Sequence, residues 1–153
     1  MIQLMNTLSG KKESRASKKL LMYVCGVTPY DHAHIGHGRW YVAFDVIYRL
    51  YSFLEVEVVY CRNFTDIDDK LLHRAHIEFG DRLRYHEIAQ RYIESFTRDV
   101  SALGCIPLRV EPRVTDNIAQ IIDFIEKLIS AGHAYESQGD VYFDIETFPE
   151  YGK

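Results

Sequence analysis

The chain has 153 residues, 47% hydrophobic and 26% charged, with a formal net charge of −4 and three cysteines. That size and balance suit one globular core and argue against a disordered, fibrous or membrane-spanning chain. The mild acidity gives no electrostatic sign of a nucleic-acid partner. An odd, irregularly spaced set of cysteines points to a reducing cytoplasm rather than a disulfide scaffold.

Residues 1–9 predict a short edge strand or extended arm. Residues 10–19 hold five basic residues and predict a solvated loop. Leu20–Val24 then reads as the first core strand. Cys25 lies at its carboxyl end, where open α/β sheets meet their ligands. Thr28-Pro29 breaks the backbone, and Asp31–Arg39 packs together three histidines, two glycines and an arginine.

Within that stretch His34 and His37 are three residues apart, so on a first helical turn they share a face. Gly36 between them lets a ligand approach the backbone. Two imidazoles can donate to phosphate oxygens without carrying a permanent charge. From Trp40 the pattern is helical, with Phe44, Ile47, Leu50 (or Tyr51) and Leu54 on one side. Asp45, Arg49 and Ser52 fall on the other. The aromatics of this helix read as core packing rather than a base-stacking platform. Strand, turn, Gly/His-rich segment and helix is the order by which α/β proteins bind phosphate at a helix N-terminus.

Val56–Cys61 is rich in β-branched residues and predicts a second buried strand, completing a βαβ unit. Asn63-Phe64-Thr65 follows on the same rim as Cys25. Asp66 (or Thr65) is placed to cap the next helix, with Asp68 and Asp69 in its first turn. The acidic cluster therefore reads as structural rather than as a Mg²⁺ site. Residues 66–79 and 82–103 predict two helices split at Gly80-Asp81. The second carries Leu83, Ile88, Tyr92, Phe96, Val100 and Leu103 on one stripe. Ile106–Val110 is a short strand candidate and Glu111-Pro112-Arg113 a turn. Thr115 or Asp116 caps a helix with an isoleucine-rich face, closed by Gly132. Ala134–Glu136 and Asp140–Ile145 flank Ser137-Gln138-Gly139 as a β-hairpin.

Three blocks carry a specific resemblance. They are Tyr23-Val24-Cys25-Gly26-Val27-Thr28-Pro29-Tyr30-Asp31, His34-Ile35-Gly36-His37-Gly38-Arg39 and Asn63-Phe64-Thr65-Asp66-Ile67-Asp68-Asp69-Lys70. From about Asn6 to Tyr151 the chain resembles the front of a cysteinyl-tRNA synthetase, a class I aminoacyl-tRNA synthetase. The resemblance implies an α/β fold: the first half of a Rossmann-like core, a parallel sheet with flanking helices. Residues 1–113 would form that half, and residues 114–153 would begin an inserted connective domain.

The resemblance also implies an activity: ATP, with Mg²⁺, activates L-cysteine, and the product passes to tRNA(Cys), in a cytoplasmic monomer. His34 and His37 would be the catalytic histidines, and His34, Gly36, His37 and Gly38 would contact ATP. Cys25, Gly26 and Thr65 would contact the amino acid, and Cys25 would also ligate a Zn²⁺ that binds the substrate thiolate. The other zinc ligands, the KMSKS loop and the second half of the fold are expected beyond residue 153. The expectation is thus that residues 1–153 alone do not make cysteinyl-tRNA. On the residues alone, a closed zinc site of Cys25 with His32, His34 and His37 has no usual metal spacing and would consume the phosphate histidines. Cys61 and Cys105 read as packing. Two alternatives are an ATP-dependent cysteine ligase of mycothiol biosynthesis and a non-catalytic nucleotide-binding module.

Overall fold

The computed structural model describes residues 2–14 and 18–152. In chain order it has β1 (Gln3–Asn6), β2 (Lys11–Ser14), β3 (Lys19–Val27), α1 (Ile35–Phe53), β4 (Glu57–Phe64) and α2 (Asp69–Phe79). After these come α3 (Tyr85–Ala102), α4 (Ile118–Ser130), β5 (Ala134–Ser137) and β6 (Asp140–Phe143). The chain divides into two units, Ser17–Asp116 and Met1–Ala16 with Asn117–Lys153.

In the first unit β3 and β4 pair in parallel across α1, from Lys19 opposite Glu57 to Val24 opposite Arg62. Val27 then faces Phe64, so β3 carries one extra residue at Cys25-Gly26, a bulge at its ligand-facing end. Gly26 is required there, because a Cβ at this position would lie 1.4 Å from the Asn63 carbonyl oxygen. Residues 106–113 form no strand of their own. Val110 bridges Cys61 and Arg113 bridges Phe64, both in parallel, which extends the sheet beyond β4.

One face of the sheet is covered. Val24, Val27, Tyr60 and Phe64 pack with Tyr41 of α1 and with Ile93, Phe96 and Val100 of α3. Leu71 and Ala75 of α2 meet Ile88, Ala89 and Tyr92 of α3 in a second cluster. The buried Arg62 lies over the rings of Tyr41 and Phe96, 4.6 and 5.0 Å from their centroids, and pairs with Glu111. The other face is open, with Leu21 and Tyr23 exposed.

Several local expectations are corrected. Residues 11–14 pair with β1 as a hairpin rather than forming a loop. The rest of that expected loop falls partly on residues 15–17, outside the described residues. Asp45 faces inward, accepting from the Ile106 amide at 2.9 Å and the Arg49 guanidinium at 2.6 Å. Of Leu50 or Tyr51 on the expected inner side of α1 it is Tyr51 that is buried, while Leu54 is exposed, as are Leu83 and Leu103 of the stripe expected over residues 82–103, which flank α3. Asp68, not Asp66 or Thr65, caps α2. Asp66 is buried and accepts from both the amide and the hydroxyl of Thr115. Thr115 is thereby committed to Asp66, and α4 starts from Asn117 without a side-chain cap.

In the second unit α4 precedes the predicted hairpin of β5 and β6, whose turn residues Gln138 and Gly139 both have positive φ. The Asp144 amide donates to the His133 carbonyl and the His133 ring meets the Thr147 hydroxyl, closing the base of the hairpin.

Candidate active site

The turn after β3 ends at α1, and the start of that helix is built from two histidines. His34 is the N-cap: its Nδ1 accepts from the Gly36 amide at 3.1 Å. The His34 amide in turn donates to Nδ1 of His37 at 3.2 Å. This is a capping box made of imidazoles instead of a hydroxyl and a carboxylate. The two rings stack, with centroids 3.9 Å apart and planes 21° from parallel.

The geometry fixes the chemistry of both rings. A backbone N–H can only donate, so each Nδ1 offers its lone pair and the proton of the neutral ring sits on Nε2. Both Nε2–H groups are therefore free to donate away from the helix. Burial, and secondarily the charge His34 can carry, push the His37 ring below its ordinary value of 6.5. α1 has no acidic residue in its first turn, unlike α2 with Asp69 and α3 with Glu87. The positive end of its dipole is thus left for an external anion.

His34 and His37 open on a cleft of about 360 Å³ that they share with Gly26, Thr28, Asp31 and His32. Tyr30 and Lys70 line it too, the Lys70 ammonium lying 5.1 Å from the Tyr30 ring centroid. Sequence reasoning misses Lys70 and His32 as site residues. A signal for Lys70 is present in the sequence, since it closes the Asn63–Lys70 block on the rim that carries Thr65.

The remaining expected residues divide. Gly26 lies at the cleft and its amide donates to Asn63 Oδ1 at 2.9 Å. Asn63 Oδ1 also accepts from the Tyr23 hydroxyl, and Asn63 Nδ2 donates to Thr65 Oγ1 at 3.2 Å. Thr65 is therefore tied to the Cys25-Gly26 bulge, although it does not line the cleft. Gly36 is filled over by the His34 ring, 2.9 Å from where a Cβ would stand. Gly38 faces Leu103, whose Cδ1 would lie 3.1 Å from an added Cβ. Both glycines have packing reasons of their own.

Cys25 is exposed at the bulge, its carbonyl accepting from the Tyr41 hydroxyl at 3.2 Å. Among the described residues no three His, Cys, Asp or Glu side chains come together in a way that could hold a metal ion. One thiol does not make a zinc site, which takes three or four protein ligands. The described residues thus supply no complete zinc donor set. Burial raises Cys61 and Cys105 above the ordinary thiol range, which suits inert packing.

The comparisons with known proteins agree with this architecture. A solved structure from Campylobacter jejuni, provisionally described as an arginyl-tRNA synthetase, superposes with a TM-score of 0.63 at 15% identity. The match covers 88% of this chain and 39% of that one, and it speaks for the fold. A cysteine–tRNA ligase from Trichlorobacter lovleyi is 51% identical over 99% of this chain, and one from Pelobacter propionicus 50% identical over 98%. An Arabidopsis thaliana cysteine–tRNA ligase, named chloroplastic/mitochondrial, is 48% identical over 97%. The chain spans 31%, 30% and 26% of the length of these three relatives. The model of the class I (C) tRNA synthetase catalytic domain matches residues 11–153. The chain belongs to that family of class I tRNA synthetase catalytic domains.

Proposed function

We propose that this chain is the ATP-binding front of a cysteine–tRNA ligase. The observation that carries the reading is the reciprocal cap of His34 and His37, which aims two ring N–H donors from a dipole-bearing helix end into one cleft. In the reaction a carboxylate oxygen of L-cysteine attacks the α-phosphorus of ATP and pyrophosphate leaves. A tRNA(Cys) hydroxyl then displaces AMP from the adenylate. No protein nucleophile is needed, only positioning and stabilisation of the charge spread over the phosphoryl oxygens. His34 and His37 supply neutral donors to those oxygens, and Lys70 supplies a point charge at the cleft wall.

Gly36 keeps the His34 ring in place and so serves ATP through the cap, whereas Gly38 seats the start of α1 beneath the ATP cleft against Leu103, a place that tolerates a methyl. Gly26 and Thr65, joined through Asn63, form the amino-acid end beside Cys25. In this reading Cys25 is one zinc ligand, completed by residues outside this chain, and Mg²⁺ enters with the nucleotide. The enzyme is a monomer working in the cytoplasm. Residues 1–153 are the start of its nucleotide fold, with the connective insertion beginning at residue 114. The 26% of charged residues and net charge of −4 leave tRNA contacts to other parts of the enzyme.

Titration of ATP into the 153-residue chain tests the nucleotide half of the reading. The wild-type chain binds ATP, and His34→Ala or His37→Ala weakens binding roughly tenfold or more, as loss of a hydrogen bond to a charged group does. Binding that survives both substitutions unchanged would remove the reading.

A further inference from the structure

Three imidazoles open on the cleft, and the helix cap accounts for only two of them. The third, His32, is held by an independent set of contacts. Its amide takes no part in the cap and donates to Asp31 Oδ1 at 2.8 Å. Its ring Nδ1 lies 3.0 Å from Oγ of Ser95, a residue of α3 only 5% exposed. The ring stands edge-on to Tyr92, with centroids 5.1 Å apart and planes at 87°. Both supports are braced in turn: Arg74 donates to the Tyr92 hydroxyl at 2.8 Å, and Arg98 donates to Ser95 Oγ at 3.4 Å.

An exposed side chain ordinarily keeps its rotamer freedom, and fixing it carries an entropy cost. Here two buried residues and two guanidinium groups fix one exposed ring. Arginine can only donate, so it takes a lone pair of Ser95 Oγ, and the hydroxyl proton is available for His32 Nδ1. With that hydroxyl donating to Nδ1 the ring proton sits on Nε2, the tautomer the cap imposes on His34 and His37. Among the described residues His32 Nε2 has no partner, and His32 lines the same cleft.

We propose that His32 is a third donor to the phosphate chain of a nucleoside triphosphate, with Ser95 as its positioning residue. The proposal rests on the nucleotide reading of the cleft given above. It adds a ligand contact on a different support, α3 rather than the start of α1. The cleft then grips the phosphates with three neutral donors and the ammonium of Lys70.

Two-bond ¹H–¹⁵N spectra of the imidazoles in the 153-residue chain test this, with ATP and inorganic tripolyphosphate as probes. In the free chain His32 has its proton on Nε2, and its Nε2 signal moves with both probes. Ser95→Ala leaves far-ultraviolet circular dichroism unchanged but turns His32 into a mixture of tautomers and weakens binding of both probes. His32→Phe, which keeps the ring against Tyr92 without nitrogens, weakens tripolyphosphate binding roughly tenfold. His32→Gln, which restores an N–H donor, recovers part of it. Signals that move for His34 and His37 but not for His32 would overturn the proposal and leave the nucleotide reading standing. No movement at any of the three rings with either probe would overturn both. The wild-type spectra decide between these outcomes even where a variant fails to fold.

Discussion

His34 and His37 each hold the other's end of the same helical turn: one ring accepts from the Gly36 amide, and the other accepts from the amide of the first. The cap and the proposed phosphate donors are therefore opposite edges of the same two rings. Whatever disturbs the cap disturbs the donors.

Protonation is the first such disturbance. A charged imidazole carries hydrogen on both nitrogens and cannot accept at Nδ1. Burial and His34 hold His37 below 6.5 in the native chain, so as pH falls the unfolded chain takes up the proton first. Stability contributed by the neutral ring is fully present above about 6.5. It is lost as pH falls from there to the lower native value of His37, and levels off below it. Loss of a helix N-cap is worth about 1 kcal/mol. The protection factor of the His34 amide, held by His37 Nδ1, is expected to fall over that window. Protection that stays constant from about pH 7.5 to about pH 5 would contradict the shared role.

Substitution can separate cap from donor. His34→Asn keeps a side-chain oxygen to accept from Gly36 and removes the outward ring N–H. Its stability to urea is expected to stay within about 0.5 kcal/mol of wild type, since asparagine is a preferred N-cap. ATP binding is expected to fall as far as in His34→Ala. Normal ATP binding by the His34→Asn variant would show that the ring donor is idle.

The glycines are expected to behave in three different ways. Gly26→Ala puts a methyl onto the Asn63 carbonyl and parts β3 from β4, destabilising the chain by about 4 kcal/mol or more, an exceptional value for one methyl. Gly36→Ala pushes against the His34 ring, so its effect is read in ATP affinity and ring tautomer more than in stability. Gly38→Ala meets only the flexible end of Leu103 and gains helix propensity, so stability changes by less than about 1 kcal/mol and ATP binding is retained. Urea titrations and ATP titrations of the three variants check each pattern.

The buried Arg62 gives a fourth expectation. Its Nε donates to Glu111 at 2.9 Å, and its guanidinium lies over the rings of Tyr41 and Phe96, which meet edge to face. Glu111→Ala leaves a buried charge unpaired and is expected to cost about 3 kcal/mol or more, whereas Arg62→Met removes the charge and costs less. Equal losses in the two variants by chemical denaturation would contradict this account. Burial also pushes the Tyr41 hydroxyl up to about 12, so this tyrosine stays a neutral donor to Cys25 across the working range.

The contrast between what can be read from sequence and what cannot follows from the range of the interactions. The βαβ unit is legible because β-branched runs and helical spacing are local signals, and the hairpin at Gln138-Gly139 because its turn needs positive φ. The roles of Asp45, Asp66 and Thr115 are not, because their partners lie 61 and 49 residues away. Proximity assigns Asp66 to the nearest helix, whereas the fold turns it toward Thr115. In the site the histidine pair and its helix are legible from H-x-x-H between a strand and a helix. That both rings accept at Nδ1 is not, since a sequence carries no tautomer. His32 depends on Ser95, 63 residues away on α3, which no local pattern connects to it.

Whether His34 and His37 serve the activation of cysteine by ATP is tested most directly in a complete enzyme. Residues 1–153 are joined to the remaining part of the Trichlorobacter lovleyi cysteine–tRNA ligase, which is 51% identical over the shared region. Zinc-loaded and folded, the fusion is assayed for ATP–pyrophosphate exchange. Exchange is expected with cysteine and not with serine, and falls roughly a hundredfold or more in His34→Ala and in His37→Ala, the scale seen when one transition-state donor is lost. A folded fusion that exchanges equally well without either histidine, or not at all, would contradict the account.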